Sequence, residues 1–149
     1  MKLLSVLSEA RAEILGEVTE GLNRSHAGHY ETSGAEGLRV RLESLFDTVV
    51  AAIRDRKLDQ VIKYAEHIGR ERFASGFGIE EVQTAFNVLE ESMWRHVAEA
   101  VPAKELVESL GLLSTVLGVG KDALARTYVS LASHEHVPSL DLRALFQGT

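Results

Sequence analysis

The last third of the chain places the tightest constraint on its fold. Leu106, Leu110, Leu113, Leu117, Gly120, Leu124, Thr127 and Leu131 recur at alternating intervals of four and three residues. A four-three repeat is a heptad seam, the apolar stripe by which one helix packs along another. A second row, Gly111, Gly118, Ala125 and Ala132, recurs every seven residues. Small side chains in register let a neighbouring backbone approach closely. A helix with two such rows needs neighbours on two sides. One row is expected to pack in the home bundle and the other to meet a partner, most simply a second copy. The residues offered to that interface are Leu106, Leu110, Leu113, Leu117, Gly118, Leu124 and Leu131. The plainer alternative is one central helix buried on several sides of a monomer.

The rest of the chain carries the same helical period. Proline occurs only at Pro102 and Pro138, and no run alternates with period two. Leu3, Leu7, Ala10, Ile14, Val18 and Leu22 stripe a first helix over Leu3 to Asn23. Ser25 to Gly34 is small and polar and reads as a loop. A second helix over Ala35 to Arg54 has a wide face of Leu38, Leu42, Leu45, Phe46, Val49, Val50 and Ile53. Asp55 to Lys57 breaks it. A third helix, Leu58 to Ala74, turns Val61, Ile62, Ala65, Ile68 and Phe73 inward. Ser75-Gly76-Phe77-Gly78 punctuates the chain: two glycines permit left-handed backbone while the Phe plugs the core. Gly76 and Gly78 are therefore read as a hinge. A fourth helix runs from Ile79 or Glu80 to Ala100, with Glu80 and Glu81 at its positive dipole end. Its stripe is Val82, Phe86, Leu89, Met93 and Val97. Pro102 suits the first turn of the fifth helix, which runs to about Ser133.

The expected class is all-α, a bundle of about five helices plus a short C-terminal helix or tail, with a globin-like arrangement as one form it can take. Residues 1–133 form the helical sensory or interaction domain, and residues 134–149 the tail, where Leu140 to Phe146 can make a short helix.

Composition removes whole classes of function. The 149 residues, 45% of them hydrophobic, suffice for one core without staples. There is no cysteine, which excludes disulfide scaffolds, zinc ribbons and thiol catalysis. The longest uncharged run, Ser109 to Gly120, spans only ~18 Å as a helix, too short for a bilayer. No secretion signal is visible, so the expected compartment is the cytoplasm. A formal net charge of −6 argues against a general nucleic-acid surface.

Several polar residues could carry chemistry. His67 and Glu71 stand one helical turn apart and read as a partly exposed surface pair. His26 and His29 lie in the loop and lack a third ligand. His67 and His96 are conceivable haem ligands, but neither has a haem signature around it, and no cofactor or metal is assigned. His134, in Ala132-Ser133-His134-Glu135-His136, loosely resembles the phosphoacceptor box of sensor histidine kinases. The basic residue and threonine usual before its proline are missing. Trp94 reads as a core-rim aromatic or as an anchor in a pocket or interface. Tyr64, His67, Trp94 and His96 are the candidate ligand-binding residues. No nucleophile motif or phosphate loop is present, and Gly118-Val119-Gly120-Lys121 lacks the spacing of one. No enzyme activity is expected.

Arg70-Glu71-Arg72-Phe73-Ala74-Ser75-Gly76-Phe77-Gly78-Ile79-Glu80-Glu81-Val82, continued by Phe86, Leu89, Glu90, Trp94 and Val97, resembles the N-terminal sensory domain of RsbR/RsbRD-type co-antagonists of the bacterial stressosome. The resemblance implies an all-helical, dimer-forming input module that precedes a separate output domain. Neither an anti-antagonist domain nor a kinase follows here, which leaves a stand-alone relative and an excised module as alternatives. The expected function is a non-catalytic signalling input or protein-interaction module, acting as a homodimer with a signalling protein as further partner. The alternatives are a small-molecule or haem-binding sensor and a histidine phosphotransfer module.

Overall fold

The computed structural model describes residues 1–25 and 35–136. Of the loop expected at Ser25 to Gly34, Ser25 ends the first helix, while residues 26–34, with His26 and His29, and the terminal helix expected at Leu140 to Phe146 lie outside the described residues. Five helices make up the described chain: α1 (Leu3–Ser25), α2 (Ala35–Asp55), α3 (Asp59–Ala74), α4 (Ile79–Ala100) and α5 (Ala103–His136). They form an all-α bundle, with no strand among the described residues. The fifth helix continues three residues past the expected end at Ser133. No helix among the described residues is long and apolar enough to cross a membrane.

The apolar stripes meet in one core. Leu3, Leu7, Ile14, Val18 and Leu22 of α1 are all fully buried, as are Val49 of α2, Ala65 of α3 and Leu89, Met93 and Val97 of α4. Two extensive helix pairings organise the bundle. α1 lies along α4, and α3 lies along α5; α4 and α5 pack on each other and join the two pairs. α2 closes one side against α1, α3 and α5. The Lys2 backbone N–H donates to Glu105 at 2.8 Å, which ties the start of α1 to the start of α5.

Helix ends follow local chemistry. Lys57 N–H reaches back to the Ala52 carbonyl, and Arg56 takes a φ of 53° to let it. α3 ends in a Schellman closure: Gly76 N–H bonds the Phe73 carbonyl and Phe77 N–H bonds the Arg72 carbonyl. Gly76 has a φ of +87°, which a side chain would strain. Gly78 is ordinary extended backbone and caps α4, its N–H donating to the Glu81 carboxylate at 3.2 Å.

The heptad seam packs inside the chain's own bundle. Leu113, Leu117 and Leu124 are fully buried, so these three of the residues assigned to a partner are covered by neighbouring helices of the same chain. Gly120 sits under Phe86 of α4 and Val61 of α3, and Thr127 lies against Gly69 of α3. Leu106, Leu110 and Leu131 are half-buried. The second row faces the other way. Gly111 is exposed, Gly118 is half-buried, and nothing lies within 4 Å of a side-chain carbon placed at either.

Candidate functional site

Helical spacing directs three elements onto one small cavity. α2 supplies Leu38, Arg41, Leu42 and Leu45; α3 supplies Tyr64, Ile68 and Arg72, each one turn from the next; α4 supplies Val82, Ala85 and Phe86. Phe77, from the turn between α3 and α4, completes the lining of a cavity of about 40 Å³. Among the described residues that line it, the two arginines are the only polar side chains apart from Tyr64, and none is a carboxylate.

The polar groups are held by specific contacts. Tyr64 Oη donates to the Arg41 carbonyl at 2.9 Å, which pins α3 to α2. The Arg72 guanidinium lies 4.7 Å from the Phe77 ring centroid, a cation–π contact. Its Nη2 donates to Glu71 Oε1 at 2.9 Å, while its Nε is buried with no acceptor among the described residues. The Phe77 carbonyl accepts from Tyr128 Oη of α5 at 2.8 Å. Tyr128 in turn stands edge-on to Phe73, with ring centroids 5.5 Å apart. Burial pushes both phenols, Tyr64 and Tyr128, up to about 12, so each stays protonated and donates. The turn at Gly76–Gly78 is thus fastened on one side to the cavity and on the other to the longest helix.

The four residues expected to bind a ligand do not share a site. Tyr64 lines the cavity. His67 stands on the outer face of α3, its side chain 68% exposed and 3.7 Å from Glu71. Trp94 is 44% exposed on α4, four residues beyond Glu90, which holds Lys121 of α5 at 2.8 Å. His96 faces α1. A histidine's place on a helix face is legible from spacing; which neighbouring helix covers that face is not. Arg41 and Arg72 were missed because arginines on an amphipathic helix ordinarily reach solvent, while Phe77, expected to plug the core, is buried and lines the cavity. His134 is exposed near the end of α5.

His96 belongs to a polar cluster between α1 and α4. Its Nε2 is 3.1 Å from Glu17 Oε1, and Ser92 Oγ donates to Glu17 Oε2 at 2.6 Å. Glu13, Glu17 and His96 bring three possible ligand atoms within 4.8 Å of one another, so these residues are the ones a cation would use. Glu17 is already served by Ser92, His96 and, at 3.7 Å, Arg95. The Ser92 hydroxyl, opposed by partial burial and helped by His96 and Arg95, holds the Glu17 carboxyl below its ordinary 4.5. A folded-state value below the unfolded one adds stability above the unfolded value and loses it as pH falls through the folded one. Urea midpoints measured from about pH 6 to about pH 3 should therefore fall more steeply for the native chain than for Glu17→Gln. Parallel curves would show that the carboxylate contributes nothing to folding.

On the outer side of α5, Val107 is 85% and Val129 65% exposed, and no charged residue occurs from Ser109 to Gly120. Val107, Gly111, Ser114, Gly118, Ala125, Val129 and Ala132 follow one another at helical intervals on this side.

Searches of curated proteins and of solved structures each return no match. The model of one family does match, over residues 5–135, which takes in all but the first residues of α1 and the last residue of α5. By that match, the chain belongs to the family of the RsbT co-antagonist protein RsbRD N-terminal domain.

Proposed function

We propose that the chain is a non-catalytic input module for stressosome signalling. A small molecule in the α2–α3–α4 cavity biases the packing of the bundle, and α5 passes that bias to a second copy and to a downstream signalling protein. The observation that carries this reading is a path of contacts across the turn. Phe77 lines the cavity and gives its carbonyl to Tyr128, which stands on α5. A ligand that displaces Phe77 must strain or release that bond. Such coupling works when two packings differ by a few kcal/mol and the ligand favours one of them. A cytoplasmic setting suits this role, as does a surface with net charge −6 that favours neither nucleic acid nor an anionic membrane.

The dimer is assigned to the outer face of α5. This face is apolar at Val107 and Val129, small at Gly111 and Gly118, and uncharged over its first half. A small-residue row lets a symmetry-related α5 approach closely, and each Val then finds apolar cover. Gly118→Arg would place two like charges near a two-fold axis. Multi-angle light scattering should report a dimer for the native chain and a monomer for Gly118→Arg, with far-ultraviolet circular dichroism unchanged. A native chain that stays monomeric at high concentration overturns the assignment.

A further inference from the structure

We infer that two copies of the chain join through their α5 helices in antiparallel register, with the two-fold axis at Gly118 and Glu108 of each copy paired with the partner's Arg126. This rests on the assignment of the outer face of α5 to a second copy and fixes how the copies are arranged. The first observation is spacing. Val107 and Val129 lie eleven residues either side of Gly118, and Gly111 and Ala125 lie seven either side. At 100° per residue, eleven residues make three turns and about 20°, and seven make two turns less about 20°. All four positions therefore face within about 20° of the Gly118 direction. In a two-fold contact, if one residue meets another, the second also meets the first. An axis crossing α5 at Gly118 sets Val107 against the partner's Val129, Gly111 against the partner's Ala125, and Gly118 against the partner's Gly118. Each exposed valine gains apolar cover, and small residues stand opposite small ones.

The second observation is charge. Glu108 lies ten residues before Gly118 and Arg126 eight after it, and both come round to about 80° from Gly118, on the same edge of the face. A two-fold axis across α5 keeps like edges together and reverses direction. Glu108 then stands within two residues, about 3 Å along the helix, of the level of the partner's Arg126, and the pair forms twice per dimer. Arg126 is exposed and has no ion pair among the described residues. Glu108 is exposed as well, and Arg56 approaches it to 3.8 Å. A parallel pairing leaves Glu108 and the partner's Arg126 about 27 Å apart along the axis. It brings Asp122 instead to the partner's Lys121, a lysine already donating to Asn87 at 3.0 Å and to Glu90 at 2.8 Å.

The test uses the full chain, which has no cysteine of its own, carrying one nitroxide label at Ser133→Cys. Ser133 is exposed and lies fifteen residues past Gly118, ~22 Å along α5. Double electron–electron resonance should give a separation of about 45 Å between the two labels, where a parallel pair gives about 20 Å or less. Charge reversal in the unlabelled chain supplies the second measurement. Glu108→Arg and Arg126→Glu should each weaken dimerisation about tenfold by sedimentation equilibrium, and the two combined should restore it. A short label separation, or a double variant no tighter than the single ones, overturns the antiparallel register and leaves the α5 dimer standing. No dipolar signal, from a chain that stays monomeric, overturns both readings.

Discussion

Gly120→Leu is expected to destabilise the folded protomer by about 3 kcal/mol, whereas Gly118→Leu, two positions before it, should leave the protomer's own stability nearly unchanged when both are measured at a concentration too low for a dimer. The difference follows from where each α-carbon points. A side-chain carbon at Gly120 would lie 3.1 Å from Phe86 Cε2 and 3.2 Å from Val61 Cγ1. Both neighbours are buried, at 2% exposure each, and the cavity of about 40 Å³ beside Phe86 leaves its ring little room to retreat. Three further carbons must then displace α4 or α3 from α5, and interiors packed to crystal density transmit such strain. At Gly118 nothing lies within 4 Å, and replacing glycine inside a helix recovers backbone entropy worth about 0.5–1 kcal/mol. Urea denaturation followed at 222 nm measures both. Equal midpoints for the two variants would mean that Gly120 is not the close-approach point between α5 and its neighbours.

Phe86→Ala should cost about 3–5 kcal/mol, a large share of the ~5–15 kcal/mol that holds a domain of this kind together. Phe86 is 2% exposed, lines the cavity, and lies over Gly120. Its removal exchanges a buried ring for empty volume, and a rigid surround closes only part of that gap. The enlarged cavity would then accept an apolar guest that the native one excludes. Benzene should therefore raise the denaturation midpoint of Phe86→Ala and leave that of the native chain unmoved, since a ligand that binds only the folded form stabilises it. A loss below about 1 kcal/mol would show that the bundle repacks freely around this position.

The same two positions show what could be read from residue order alone. The class, the helix count and each buried stripe were legible, because a helix with one wet face must repeat its apolar residues every three to four positions. The stripes of α1 and α4 are buried residue for residue at Leu3, Leu7, Leu89, Met93 and Val97. The glycine turn was legible too, since a left-handed residue after a helix calls for glycine and Gly76 takes that role. The candidate site was legible only at Tyr64. Arg72 looked like any solvated cation at a helix end, and His96 gave no sign that Glu17, 79 residues away, would hold it.

Periodicity alone thus determined that this chain is a helical bundle, which residues face inward and where α3 must turn into α4. It could not say which helix lies against which, because an apolar stripe is complementary to almost any other stripe. Only the assembled bundle decided that the leucine row of α5 meets α3 and α4 while its small-residue row faces outward. The same assembly left a cavity lined by two arginines at the α2–α3–α4 junction. Contacts between residues far apart in the chain follow from shape and volume summed over all five helices, and no local pattern carries that sum.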